Sequence, residues 1–292
     1  MEETDPKKLF SVEGMVVVIT GGGTGIGLMM TKAFAHNGAA KVYIIGRRKE
    51  KLDEAAKLSP NIIPIVGDVT SKESLLQAAD QIQKDAGFIN LLCCNSGNMP
   101  PPVGLDPTKV SLQEYRKKAL EQKTEDWVDG FAINSVSVPF TTFAFLELLD
   151  AGNKKGNAPG RMSQVVVTSS IAGYLRVPKN FGCYPATKAA TTHLIKHLSG
   201  VLASYNIRVN GIAPGLFPSE LAAGLIAQGG DTGKDPTEDG AYETSFIPGQ
   251  RLGRTGDMAG ALIYLASAAG AYINGNIQVM DGGRIGILNG TY

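Results

Sequence analysis

Seven short apolar runs, mostly β-branched, recur along the 292-residue chain: MVVVIT (15–20), KVYII (41–45), NIIPIV (61–66), NLLCC (90–94), SQVVVT (163–168), IRVNGI (207–212) and NIQVM (276–280). Longer segments with helical patterns separate them. A strand with one wet face alternates apolar and polar residues, whereas a near-continuous apolar run is a strand covered on both faces. The pattern therefore predicts one α/β domain spanning 1–292. Its architecture is a Rossmann-type, doubly wound parallel sheet of about seven strands with helices on both faces. Ligands are expected at the carboxyl ends of those strands.

Two segments break the rhythm. Residues 98–123, NMPPPVGLDPTKVSLQEYRKKALEQK, begin with prolines and continue as a charged helix. Residues 216–250 contain an amphipathic piece, SELAAGLIAQ, followed by the polar GGDTGKDPTEDG. Either is a linker or, beside a binding edge, a lid. The expectation is an insertion near the active-site edge at 98–123 and a substrate-binding lid at 216–250.

Composition narrows the partners. With 43% hydrophobic and 19% charged residues, a net charge of +1 and no long run of like charges, nothing marks a nucleic-acid-binding or membrane-binding surface. No apolar run reaches the roughly 18 residues that a membrane helix needs, and the polar MEETDPKKLF start is no signal peptide. Cys93, Cys94 and Cys183 are odd in number with two adjacent, which is no disulfide framework; a cytoplasmic location fits. Without a secretion signal, the Asn289-Gly290-Thr291 sequon reads as a chance match. His193 and His197 lie four apart, but no third ligand stands at useful spacing, so no metal is expected.

The first strand leads into TGGGTGIG (20–27) and then a helical pattern. Glycines let a backbone turn tightly and approach a pyrophosphate, whose charge is favoured by the amides of the following helix. The spacing of Gly21, Gly25 and Gly27 is G-x-x-x-G-x-G, and with Gly23, Thr24 and Ile26 it forms a candidate dinucleotide loop. At the end of the second strand stand Gly46, Arg47 and Arg48, where a carboxylate would receive the ribose hydroxyls of NAD. Arginine there accommodates the 2′-phosphate of NADP, and one such charge-assisted bond is worth about 1.5 to 3 kcal/mol, so NADP(H) is the expected cofactor. The alternative is that both arginines merely open an exposed charged helix.

In CYPATKAATTHL (183–194), Tyr184 and Lys188 stand one helical turn apart, so phenol and ammonium share a face. A surface pair with weak cation–π attraction has the same spacing. The rest of the chain decides between the two.

Taken in order, TGGGTGIG, GDVTS (67–71), CNSG (94–97), INS around Asn134, TSSIAG (168–173), YPATK (184–188) and VNGIAPG (209–215) resemble the motifs of the short-chain dehydrogenase/reductase family. The resemblance covers nearly the whole chain and points to its 3-oxoacyl-thioester-reductase-like and carbonyl reductase members. It implies a catalytic tetrad of Asn134, Ser170, Tyr184 and Lys188, with Ser169 as the fallback for the serine. Asp68 and Val69 would hold the adenine, Asn95 and Gly97 the adenosine ribose side, and Pro214, Gly215 and Ser219 the nicotinamide; Ser219 stands where the family usually has Thr. Cys94 and Ser96 replace the Asn and Ala of the family's Asn-Asn-Ala-Gly motif, and the 98–123 segment is longer than the family norm.

The chemistry implied is reduction of a carbonyl on a mainly apolar small molecule, with Tyr184 giving the proton. A free phenol needs roughly 4 kcal/mol to reach neutral pH, and an ammonium about 5 Å away supplies roughly 3 kcal/mol of it. By the same resemblance, Lys188 binds the nicotinamide ribose, Asn134 positions a water of the proton relay and Ser170 polarises the substrate oxygen. The last helix and strand suggest a homodimer or homotetramer. Two other outcomes stay open: an NADP-binding enzyme of cyclisation or isomerisation, and an NADP(H)-responsive binding protein without turnover.

Overall fold

The computed structural model describes residues 4–231 and 233–290, so Thr291 of the sequon lies outside the described residues. Seven parallel strands form one sheet in the order β3-β2-β1-β4-β5-β6-β7. They are β1 Val16–Thr20, β2 Lys41–Gly46, β3 Ile62–Val66, β4 Leu91–Cys94, β5 Gln164–Thr168, β6 Arg208–Pro214 and β7 Ile277–Met280. Each predicted apolar run overlaps one of them, with β2 extending one residue and β6 two residues beyond its run, and the α/β doubly wound fold is as expected. The helices are α1 Pro6–Leu9, α2 Gly25–His36, α3 Lys49–Ala56, α4 Lys72–Asp85, α5 Leu112–Leu120 and α6 Thr124–Phe131. After them come α7 Ser137–Ala144, α8 Leu146–Lys155, α9 Cys183–Ala203, α10 Ala223–Ile226 and α11 Thr255–Ala266.

Alternation along each strand sends successive side chains to opposite faces, and the sheet is apolar on both. Val18, Tyr43, Leu92, Val165 and Val209 pack on one side with α4, α8 and α9 residues. Val17, Ile19, Ile44, Cys93 and Val166 pack on the other with α2 and α11 residues. The strand order reverses between β1 and β4, which opens a crevice at their carboxyl ends. Asn95 ties that crevice together: its N–H donates to Thr20 Oγ1 (2.9 Å), its Nδ2 to Thr20 O (3.1 Å), and its Oδ1 accepts from Thr168 Oγ1 (3.1 Å).

The two irregular segments form little regular structure. In 98–123 only α5 forms, and it buries no residue. In 216–250, SELAAGLIAQ yields the single turn α10 and a short 3₁₀ turn, Ala227–Gly229. The segment folds instead around its own cluster of Leu216, Ala241, Tyr242, Ile247 and Leu252. Among the described residues no single helix is long and apolar enough to cross a membrane.

Candidate active site

The glycine loop is shaped by what a side chain would strike. Gly21 (φ 69°) and Gly25 (φ 52°) adopt left-handed backbone that other residues reach only with strain. A Cβ on Gly27 would collide with the Gly21 carbonyl and lie 2.7 Å from Asn95 Nδ2. Thr31 Oγ1, 2.9 Å from both Gly22 O and Gly27 O, braces the turn from within α2. Thr24 at the N-cap of α2 makes no side-chain cap bond, which leaves the amides of the first turn available to an anion.

The loop forms one end of a cleft of about 330 Å³ at the carboxyl edge of the sheet. Every cofactor-side residue named from the sequence, from Gly21 to Ser219, lines it, as do Ser170, Tyr184 and Lys188. Asn134 does not. The lining also contains residues that sequence reasoning missed, among them Ser96, Ile133, Phe217, Glu220 and Leu221.

At the outer end, Arg48 Nη1 pairs with Glu220 Oε2 at 2.9 Å and its Nη2 donates to Thr24 Oγ1 at 3.2 Å. Arg47 is exposed. Asp68 turns back on its own loop, accepting from the Thr70 N–H (2.9 Å) and hydroxyl (2.7 Å). Burial works against its carboxylate, but the two Thr70 bonds and the field of Arg47 outweigh it and hold its pKa below the ordinary value.

Tyr184 and Lys188 lie in the first turns of α9, and Pro185 is tolerated there because the amides of a first turn need no intrahelical partner. Lys188 is 4% exposed; its ammonium donates to Thr168 O at 2.9 Å and sits 5.8 Å from the Tyr184 ring centroid. Burial pulls the ammonium down to about 8. Of the two serines, Ser169 is tied to α9, its Oγ 3.2 Å from Lys188 O and 2.8 Å from Thr192 Oγ1. Both serines line the cleft, but the Ser170 hydroxyl is not tied to α9: its Oγ accepts from the Ala172 N–H at 3.1 Å, and it lowers the pKa of the neighbouring Tyr184 phenol.

Burial pushes the Tyr184 pKa above its ordinary value, and Ser170 offsets this only in part. The Lys188 ammonium, expected to bring the phenol toward neutrality, is itself desolvated and held by the Thr168 carbonyl. The Asn134 side chain, expected to place a water, uses both of its N–H donors and one of the two acceptor sites of Oδ1 on protein groups. Its Oδ1 accepts from the Asn98 N–H (2.9 Å), and its Nδ2 donates to Asn98 O (2.9 Å) and Thr187 Oγ1 (3.0 Å). A π-helical turn, Ala132–Val136, aims the side chain at that backbone. Asn134 thus clamps the start of the 98–123 segment beside Gly97, where an added Cβ would lie 3.8 Å from Lys188 Nζ.

Other candidates fall away from the cleft chemistry. Cys183 is 1% exposed and packs against Gly130. The His193 and His197 rings lie 6.2 Å apart, and among the described residues no three His, Cys, Asp or Glu side chains gather to hold a metal.

A family model for short chain dehydrogenases matches residues 15–229. The chain is 45% identical to the short-chain dehydrogenase/reductase PhomF of Diaporthe leptostromiformis, over 97% of this chain and 96% of that protein. It superposes on the RhlG/NADP active-site complex of Pseudomonas aeruginosa with a TM-score of 0.77 at 28% identity, covering 95% of this chain and 99% of the other. It also superposes on the NADPH-dependent 3-quinuclidinone reductase of Rhodotorula rubra (TM-score 0.71, 25% identity, 96% and 95% covered). With a nucleotide loop that only glycine fits, a buried Tyr–Lys pair opening beside it and likeness along nearly the full chain, this protein belongs to the short-chain dehydrogenase/reductase family of oxidoreductases.

Proposed function

We propose that the protein is an NADPH-dependent reductase that converts a ketone of a mainly apolar small molecule to the alcohol. The observation that carries this reading is the convergence of Ser170, Tyr184 and Lys188 with the glycine loop and two arginines in one cleft. The glycine cradle fits a dinucleotide, which supplies the hydride when bound. Gly21 to Gly27 would hold its pyrophosphate and Arg47 and Arg48 would receive the 2′-phosphate; the end of β2 itself supplies no carboxylate, and the one that reaches Arg48 is Glu220, from a distant segment.

On the substrate side, Ser170 donates to the carbonyl oxygen and Tyr184 protonates it as charge develops. A phenol kept protonated by burial is the form that a reduction requires. Lys188 stabilises the phenolate left behind, and Asn134 acts as a positioning residue through Asn98. Ile133, Phe217 and Leu221 give the cleft an apolar wall, and of the 216–250 segment residues 217 and 219–222 line it. The NADP and NADPH named for the two superposed structures support the choice of cofactor.

We further propose a cytoplasmic homodimer or homotetramer. The three cysteines are free and buried, as a reducing compartment allows. Val128, Val136, Phe140 and Phe143 expose apolar surface along α6, the π-helical turn and α7, and Val279 does so on the edge strand β7. Light scattering on purified protein tests the assembly.

The test of the activity is equilibrium binding of NADPH and NADH, followed through Trp127 fluorescence or calorimetry, with Arg47→Ala alongside, and then a panel of ketones. NADPH tighter by about tenfold, with the gap closed by the substitution, supports the reading. Binding of neither cofactor overturns it.

A further inference from the structure

Two carboxylates line the cleft, Asp68 and Glu220. Asp68 is engaged by Thr70 in its own turn. Glu220 comes from a distant part of the chain and reaches across to Arg48 (2.9 Å). Its position is built. Phe217 (2% exposed) and Ala222 (7%) anchor the turn on either side, and the Ala222 N–H donates to Ser219 Oγ at 3.2 Å. Ser219 rests on the glycine loop, its Cβ 3.0 Å from where a Cβ on Gly25 would lie.

The consequence follows from donor counting. Arg48 offers a phosphate the paired N–H groups of its Nη atoms, and here Nη1 serves Glu220 while Nη2 serves Thr24. A 2′-phosphate must displace the Glu220 carboxylate or sit beside it against like-charge repulsion. A free 2′-hydroxyl has no such conflict, because it donates to a carboxylate. Exposed pairs of this kind are weak enough to exchange, so the competition tunes binding rather than blocking it.

We propose that Glu220 is a specificity-determining residue for the cofactor, competing with the 2′-phosphate for the Arg48 guanidinium and so restraining the preference for NADP(H) over NAD(H). This rests on the NADP(H) reading above. A family-style reading of the β2 end, where Gly46, Arg47 and Arg48 stand, sees only the attractive half of the contest.

The experiment is a double-mutant cycle on Kd for NADPH and NADH, using wild type, Glu220→Gln, Arg48→Ala and the double variant, at low and high salt. Glu220→Gln tightens NADPH three- to tenfold and changes NADH less than twofold. The gain shrinks at high salt and disappears in the Arg48→Ala background. An equal change for both cofactors, or the same gain without Arg48, overturns the proposal. Because the readout is a change in the ratio of two affinities, it is independent of which cofactor wild type prefers. Failure of the NADP(H) reading shows separately, in that wild-type preference and its response to Arg47→Ala.

Discussion

The glycine loop at 20–27 and the segment at 216–250 face each other across the cleft, and they are held in different ways. The loop is fixed by the sheet. It leaves β1, turns where only glycine fits and enters α2, with Asn95 and Thr31 bonding its carbonyls. The opposite wall is held by a small apolar cluster, by a tilted ring contact between Tyr242 and Phe246 (5.2 Å between centroids) and by exposed ion pairs such as Arg254–Asp239. The first arrangement tolerates almost no change in side-chain volume. The second has local contacts that can be rebuilt without disturbing the sheet. A protein made this way holds one ligand constant and is free to vary the other.

The contrast breaks first at the chemistry between the walls. Tyr184→Phe is expected to lower kcat for ketone reduction roughly a thousandfold with the Kd for NADPH within about twofold, checked by steady-state kinetics and Trp127 fluorescence. Turnover near the wild-type rate would remove the proton donor from the scheme.

Next comes the loop itself. Gly27→Ala is expected to weaken NADPH about a hundredfold and to cost on the order of 1 to 3 kcal/mol of stability, because nothing at the Gly21 carbonyl can yield. Gly224→Ala, on the opposite wall, meets nothing within 4 Å and should leave NADPH binding unchanged. Equal effects at the two positions would erase the distinction.

A pH profile sharpens the picture between the walls. Burial lowers Lys188 from 10.5 to about 8, so kcat/KM for reduction should be level below that value and fall about tenfold per unit above it. The inflection should vanish in Lys188→Met. Stability moves the opposite way. Below about 8 both folded and unfolded chains hold the proton and the burial cost is fully present; between about 8 and 10.5 the unfolded chain holds more protons, so stability rises with pH. The Tm of wild type relative to Lys188→Met should therefore improve as pH rises from 8 toward 10.

The smallest effect is expected at the rim. Gln122 donates to Pro101 O (2.9 Å) and accepts from Trp127 Nε1 (3.2 Å). Gln122→Ala should cost about 1 kcal/mol in thermal unfolding and shift KM for bulky ketones a fewfold, at unchanged Kd for NADPH. A change in cofactor affinity would show that the two sides are coupled.

The strands were legible because burial on both faces writes itself as unbroken apolar runs, and the loop because glycine spacing reports backbone geometry directly. The choice of Ser170 over Ser169 was only half legible. Both residues precede the same helix and line the cleft, and which hydroxyl is held by α9 depends on Thr192, a contact made through the fold. Glu220 and the clamp of Asn134 on Asn98 were invisible, since neither pairing has a local spacing rule: the residues are 172 and 36 positions apart. The internal packing of the 216–250 segment was not legible either, because its apolar residues serve a small separate cluster rather than one helical face.

The widened turn at Ala132–Val136 carries a consequence for chain length. Each residue of a helix advances the chain by about 100° of rotation, so the extra residue in such a turn sets the faces of α6 and α7 independently of their side chains. Removing one residue there would swing Asn134 off the Asn98 backbone and turn Val136, Phe140 and Phe143 to new directions at once. A library intended to evolve new substrates must therefore keep 132–136 at its present length.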